Sequence, residues 1–227
     1  MATKTKEKRT RTKALSDGRK IPCEYENPID NLLIDWSQFI NPYLHEIYVV
    51  PNVLTACSFA FGLLAAYLTY KSKFALAALS FIVAYVFDCM DGNMARMFDQ
   101  VTVFGDYFDH ITDVIQFICL GLCLLFNKDI TRNTKIVFVI LSIILFALMD
   151  IHIGCQEAVY ERPNESSTLS WLTRVCPVPA HTYIRYTRYF GPGTLNCLIF
   201  LFLLYLAHTT HPNNKRKYDK YKTKLGL

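Results

Sequence analysis

Residues 74–96 read FALAALSFIVAYVFDCMDGNMAR: an uncharged run from Phe74 to Phe87, then Asp88, Asp91 and Arg96 in the same stretch. A helix needs about 20 mostly apolar residues to cross a bilayer, and 74–98 supplies them. Runs of similar character lie at 48–70, 106–126 and 135–155, with a slightly shorter one near 191–209. Short polar connectors separate the first four: Lys71 to Lys73, the residues after Arg96, and Asn127 to Lys135. Hydrophobic residues make up 52% of the 227, against 19% charged. That composition excludes a disordered chain, and so many long apolar runs argue against a soluble globule. The expected fold class is an all-α integral membrane protein, with about six transmembrane helices and an N-terminal interfacial amphipathic helix.

Outward from these runs the chain becomes basic. Residues 1–20 carry eight basic and two acidic side chains, and 212–227 carry six and one. The expected division is a disordered cytoplasmic tail at 1–24, an interfacial helix at 25–47, a transmembrane catalytic domain at 48–209 and a second cytoplasmic tail at 210–227. No nucleic-acid partner is expected for these basic ends, and the late first run argues against a cleaved signal peptide. Between tail and first span, Ile29, Leu32, Leu33, Trp36, Phe39 and Ile40 recur at helical spacing. That is the pattern of a helix lying in the membrane interface, with Trp36 at headgroup depth.

Two basic ends favour a shared cytoplasmic side and so an even number of spans. The sixth would fall in 166–190, a stretch that carries Arg174, Arg185, Arg188 and His181 and is bent by Pro177 and Pro179. Five spans is the alternative. The eight cysteines show no CxxC pair and are not expected to form a disulfide framework; the six in or beside apolar runs, Cys57, Cys89, Cys119, Cys123, Cys155 and Cys197, are read as small buried hydrophobes. Asn164-Glu165-Ser166 matches a glycosylation acceptor, expected to be unused on the cytoplasmic side.

The second and third runs hold acids that a membrane segment does not keep by chance. One carboxylate at the bilayer centre costs about 2.5–3.5 kcal/mol, and neighbouring carboxylates also repel one another. Asp88, Asp91, Gly92, Ala95 and Arg96 share one helical face at steps of three and four, and Gly105, Asp109 and Asp113 share another. The two faces are expected to meet across a tight helical hairpin. Carboxylate oxygens gathered at such a seam suit Mg²⁺ or Mn²⁺, and two divalent ions would balance four aspartates. Gly92, Ala95 and Gly105 leave room for a ligand, and Arg96 offers a forked donor to a phosphate. Ion conduction, or acids paired with lysines, is the competing reading of the same residues. In that case the chain is a non-catalytic membrane cation-binding protein.

The stretch from Asp88 to Asp113 reproduces D-x2-D-G-x2-A-R-x8-G-x3-D-x3-D at every fixed position. It resembles the signature of the CDP-alcohol phosphotransferases (class-I CDP-alcohol phosphatidyltransferases). Pro51-Asn52-Val53-Leu54-Thr55 is similar to that family's PN-x-LT element. The resemblance implies a transferase of phospholipid biosynthesis. Asp88, Asp91, Asp109 and Asp113 would hold two Mg²⁺ or Mn²⁺ ions against the diphosphate of a CDP-linked donor. Asp113 would serve as general base toward an alcohol hydroxyl, and CMP would leave. Gly92, Ala95, Arg96 and Gly105 would line the nucleotide pocket. A homodimer among membrane lipids is implied as well, and the charge-based topology above places the site on the cytoplasmic side.

Substrate hints conflict. The length is near that of compact phosphatidyl-transferring relatives, which favours CDP-diacylglycerol plus a polar alcohol such as inositol. Residues 27–33 and Phe108-Asp109-His110 look more like the branch that joins CDP-choline or CDP-ethanolamine to diacylglycerol. Arg174, Arg185 and Arg188 are candidate acceptor-binding residues for a phosphorylated alcohol. Asp150, His152, Gln156 and Glu157 are candidates for a polyol or an ammonium.

Overall fold

The computed structural model describes residues 10–11, 17–161 and 169–210. Seven helices carry the fold: α1 (Pro28–Glu46), α2 (Pro51–Tyr70), α3 (Phe74–Met97), α4 (Val103–Phe126), α5 (Arg132–Val159), α6 (Ala180–Thr187) and α7 (Pro192–Thr210). Their starts are written in the sequence. The Asn27 side chain accepts from the Ile29 N–H ahead of Pro28, Pro51 opens α2, and Thr102 and Thr131 cap α4 and α5. Each satisfies or removes a backbone donor that a helix start leaves unpaired. A two-residue parallel pairing of Thr10–Arg11 with Tyr160–Glu161 is the sheet structure among the described residues.

Five helices are long and apolar enough to cross a membrane: α2, α3, α4, α5 and the helical stretch Ala180–Thr210 that contains α6 and α7. The chain is an all-α, multi-pass membrane protein. Among the described residues the candidate spans number five rather than six. The stretch expected to hide the sixth is a 3-10 turn at Ser170–Arg174, the eight-residue α6 and a second 3-10 turn at Arg188–Phe190. Eight helical residues rise about 12 Å, against about 30 Å of hydrocarbon. Pro177 and Pro179 interrupt the chain before α6. The start of α2 and the end of α7 therefore lie at opposite ends of the bundle, not at a shared one.

Most of both basic tails, and the Asn164–Ser166 tripeptide, fall outside the described residues. Residues 17–24, expected as tail, pack into the body. Arg19 and Ile21 are buried, and the Asn93 side chain donates to the Asp17 carbonyl at 3.0 Å.

Helix α1 behaves as an interfacial helix should. Leu32, Trp36, Phe39 and Tyr43 form an exposed stripe, while Asp30, Ile34, Ser37 and Asn41 turn inward. The protein-facing side is thus the more polar one and the outer side the apolar one, which suits a helix lying on lipid. Asn41 anchors it by donating to the Met90 carbonyl at 3.0 Å and to Asn93 Oδ1 at 2.9 Å.

The main apolar core lies toward the far end of the bundle, where Ala65, Phe74, Ala77, Leu124, Leu203 and Leu206 meet. Helix α2 packs along both α3 and α4, whereas the α3 and α4 backbones rarely approach each other. The tight hairpin expected from the sequence is instead a pair of helices held apart and bridged by side chains such as Phe81 and Phe117 (ring centroids 6.5 Å). Room for four carboxylates between two helices requires that separation.

Cys155 and Cys176 are disulfide-bonded, 21 residues apart in sequence. This corrects the reading of Cys155 as a lone buried hydrophobe. The bond ties the end of α5 to the loop before α6, a proximity that no Cys spacing announces.

Candidate active site

The carboxylates come from the last turns of α3 and the first turns of α4, two helices joined by only Phe98 to Thr102. Asp88, Asp91 and Asp109 each turn one oxygen inward, and these atoms lie within 4.8 Å of one another. Asp91 is buried, and Thr55 Oγ1 donates to its Oδ2 at 2.6 Å. Asp109 Oδ1 is buried without a hydrogen-bond partner. A buried carboxylate oxygen left unpaired is costly, so an oxygen-only trio with one such atom fits a hard divalent cation. Asp113, one turn beyond Asp109, accepts from Gln116 Nε2 at 3.3 Å and shares a cavity with Asp88.

The small residues of the motif sit where side chains would obstruct the site. A Cβ at Gly92 would come within 3.1 Å of the Arg96 guanidinium, which folds over it. A Cβ at Gly105 would come within 3.2 Å of Asn52 Oδ1 and 3.0 Å of Thr102 Oγ1. Ala95 is half-buried on the same helix. Arg96 Nε donates to the Gly18 carbonyl at 2.9 Å, so residues 17–19 lie along the edge of this region.

The other candidates fall elsewhere. Arg174 is exposed on its 3-10 turn. Arg185 donates to the Tyr25 hydroxyl at 3.3 Å, and Arg188 donates to the Glu24 carbonyl. Contacts to residues 24–25, rather than to the aspartates, hold Arg185 and Arg188. His152 and Gln156 are buried and bonded to each other at 2.9 Å, with Thr187 and Glu26 completing a chain of polar groups. Asp106 stands in the first turn of α4 beside His110.

Several residues that contact the motif escaped the sequence reading. Asn52 and Thr55 were visible as a motif but carried no role; they face Gly105 and Asp91. Gln116 continues the Asp109–Asp113 face by three residues, so extending that face would have found it. Nothing in the sequence links Gly18 to Arg96.

The family model for CDP-alcohol phosphatidyltransferases matches residues 48–210. The chain belongs to this family. Within it, a CDP-diacylglycerol–serine O-phosphatidyltransferase of Helicobacter pylori is 32% identical over 74 residues, covering 33% of this chain and 31% of that protein. An archaetidylinositol phosphate synthase of Pyrococcus horikoshii is 33% identical over 101 residues, 43% of this chain and 54% of the relative. A cardiolipin synthase (CMP-forming)/mitochondrial hydrolase fusion protein of Schizosaccharomyces pombe is 34% identical over 83 residues, 37% and 14% respectively. The chain thus spans from about a seventh to about half of these relatives' lengths.

Beside the motif, on α1 and outside the spans, Asp30 is buried and accepts from the Tyr85 hydroxyl and from the Gly193 N–H at 3.0 Å. Burial, and then Glu26, push its carboxyl up to about 7 from 3.8, against those two hydrogen bonds and Lys20. A pKa raised by folding gives stability that is complete below the unfolded value and lost as pH climbs through the folded one. The window is therefore about pH 4 to 7, and the loss amounts to about 4 kcal/mol. Melting of the purified protein in detergent should fall from pH 5 to 8 more steeply for wild type than for Asp30→Asn. Identical profiles would contradict the assignment.

Proposed function

We propose that this chain is a divalent-metal-dependent enzyme that transfers a substituted phosphate from a CDP-linked donor to an alcohol and releases CMP. The observation that carries the reading is the convergence of Asp88, Asp91 and Asp109 oxygens with Asp113 one turn away. The three converging side chains, with Asp113 at their border, would hold two Mg²⁺ or Mn²⁺ ions. Such ions neutralise charge on a diphosphate and on departing CMP.

The chain's own groups do the rest. Thr55 fixes one oxygen of Asp91 and so orients the other. Gly92, Ala95 and Gly105 leave the nucleotide space at the α3–α4 end, and Arg96 sets a forked cation beside it. Asp113 takes the proton of the acceptor hydroxyl, and that oxygen forms its bond to the phosphorus distal to cytidine. The phosphorus–oxygen bond to CMP breaks, and CMP carries away the electron pair.

For the donor we favour CDP-diacylglycerol, with a polar alcohol such as inositol as acceptor. The Helicobacter relative is named for CDP-diacylglycerol, and the Schizosaccharomyces relative is named as CMP-forming. We place the site on the cytoplasmic side, because the sequence just before α1 is strongly basic, with eight Lys and Arg in residues 1–20. A homodimer follows from the family resemblance alone.

Purified protein given Mn²⁺, CDP-diacylglycerol and inositol should release CMP, and EDTA should stop it. Asp113→Asn should lower kcat by about 10²–10⁴-fold. Full turnover by that variant, or undiminished activity in EDTA, would refute the mechanism. For orientation, Cys23 is an exposed thiol at the site end. An impermeant maleimide should label it in inside-out vesicles and not in right-side-out ones, with Cys23→Ser as control. The reverse pattern would place the site across the membrane.

A further inference from the structure

Toward the bilayer core from the aspartates, a cavity opens between α2, α3, α4 and α7. Its polar lining is Ser58, Tyr85, Asp88, Asp113, Gln116 and Asn196, and Phe81 and Phe117 supply its apolar wall. Gln116 spans the α4 side. Its Nε2 donates to Asp113 Oδ1 at 3.3 Å. Its other end enters a notch on α2 that exists only because residue 62 is glycine. A Cβ there would overlap Gln116 Oε1 and lie within 2.7 Å of Cγ.

Gly62 lies in the middle of a helix, where glycine costs about 1 kcal/mol relative to alanine. Its place is explained by space for Gln116 and not by an unusual backbone angle. Transfer geometry gives the notch a purpose. Attacking and leaving oxygens stand roughly in line across phosphorus. The proposed nucleotide end, at Gly92, Arg96 and Gly105, lies toward the α3–α4 connector. The attacking oxygen then comes from the opposite side, where Asp113 borders the cavity.

We infer that Gln116, seated in the Gly62 notch, is a positioning residue that aims the Asp113 carboxylate into this cavity, and that the cavity receives the hydroxyl-bearing end of the acceptor. The inference rests on the proposed transfer reaction. Gln116 acts through Asp113. It belongs to neither the cation trio nor the nucleotide end, so its loss should affect acceptor use and spare the donor.

The test uses the full chain in detergent, with CDP-diacylglycerol or CDP-choline as donor. Inositol, serine, glycerol 3-phosphate and diacylglycerol are the acceptor panel. Gln116→Ala, Gly62→Ala and the double variant are compared with wild type for kcat, both KM values, Mn²⁺ affinity and melting temperature. Gln116→Ala should lower kcat about 10-fold and raise the acceptor KM about 10-fold, with donor KM and Mn²⁺ affinity within about twofold. Gly62→Ala should resemble it, and the double variant should be no worse than Gln116→Ala, because the two changes remove one interaction. Gln116→Ala kinetics equal to wild type overturn the inference, as does a uniform loss in both KM values, Mn²⁺ affinity and melting. So do multiplicative effects in the double variant. A wild-type chain that binds Mn²⁺ but turns over no donor–acceptor pair contradicts the proposed function instead.

Discussion

Carboxylates crowded at the edge of hydrocarbon are the constraint around which this protein is built. Each ionised aspartate is costly to remove from water, and neighbours of like charge add to that cost. The surrounding structure answers in several ways. α3 and α4 stand apart instead of packing as a close pair, and α2 lies against both. Thr55 ties one oxygen of Asp91, while Asp109 keeps one oxygen unpaired. The interfacial helix α1 is anchored on the motif helix through Asn41. The polar interior and the separated helices answer one electrostatic problem, and a bound cation is the solution we propose for it.

The parts legible in the sequence were those governed by local periodicity. Runs of about 20 apolar residues announced α2 to α5 and α7, and steps of three and four placed the aspartates on facing helical surfaces. The exact starts, capped at Asn27, Thr102 and Thr131, were not read in advance, and the expected runs at 106 and 135 began three residues late. What was hidden depends on contacts distant in sequence. The Cys155–Cys176 bond and the packing of Gly18 beside Arg96 leave no periodic trace. The extra span sought in 166–190 came from a charge rule applied to tails, while Pro177, Pro179 and three arginines in that stretch already opposed it.

The arginines teach a related lesson. A cation near a phosphate enzyme invites a substrate role, yet Arg185 and Arg188 are held by the backbone and tyrosine of residues 24–25. Conversely, Gln116 carries no charge and drew no notice, although its position touches Asp113 directly. In a membrane interior, a neutral amide that aims a carboxylate costs far less to bury than another ion.

The central claim is that these aspartates gather divalent cations. Its most direct measurement is Mn²⁺ titration of the purified chain, read by loss of the free-ion electron paramagnetic resonance signal. Saturable binding of about two ions per chain, sharply weakened in Asp91→Asn and Asp109→Asn variants that still fold, is the predicted result. Wild-type protein that binds no Mn²⁺ above background, or variants that bind it unchanged, would contradict the account.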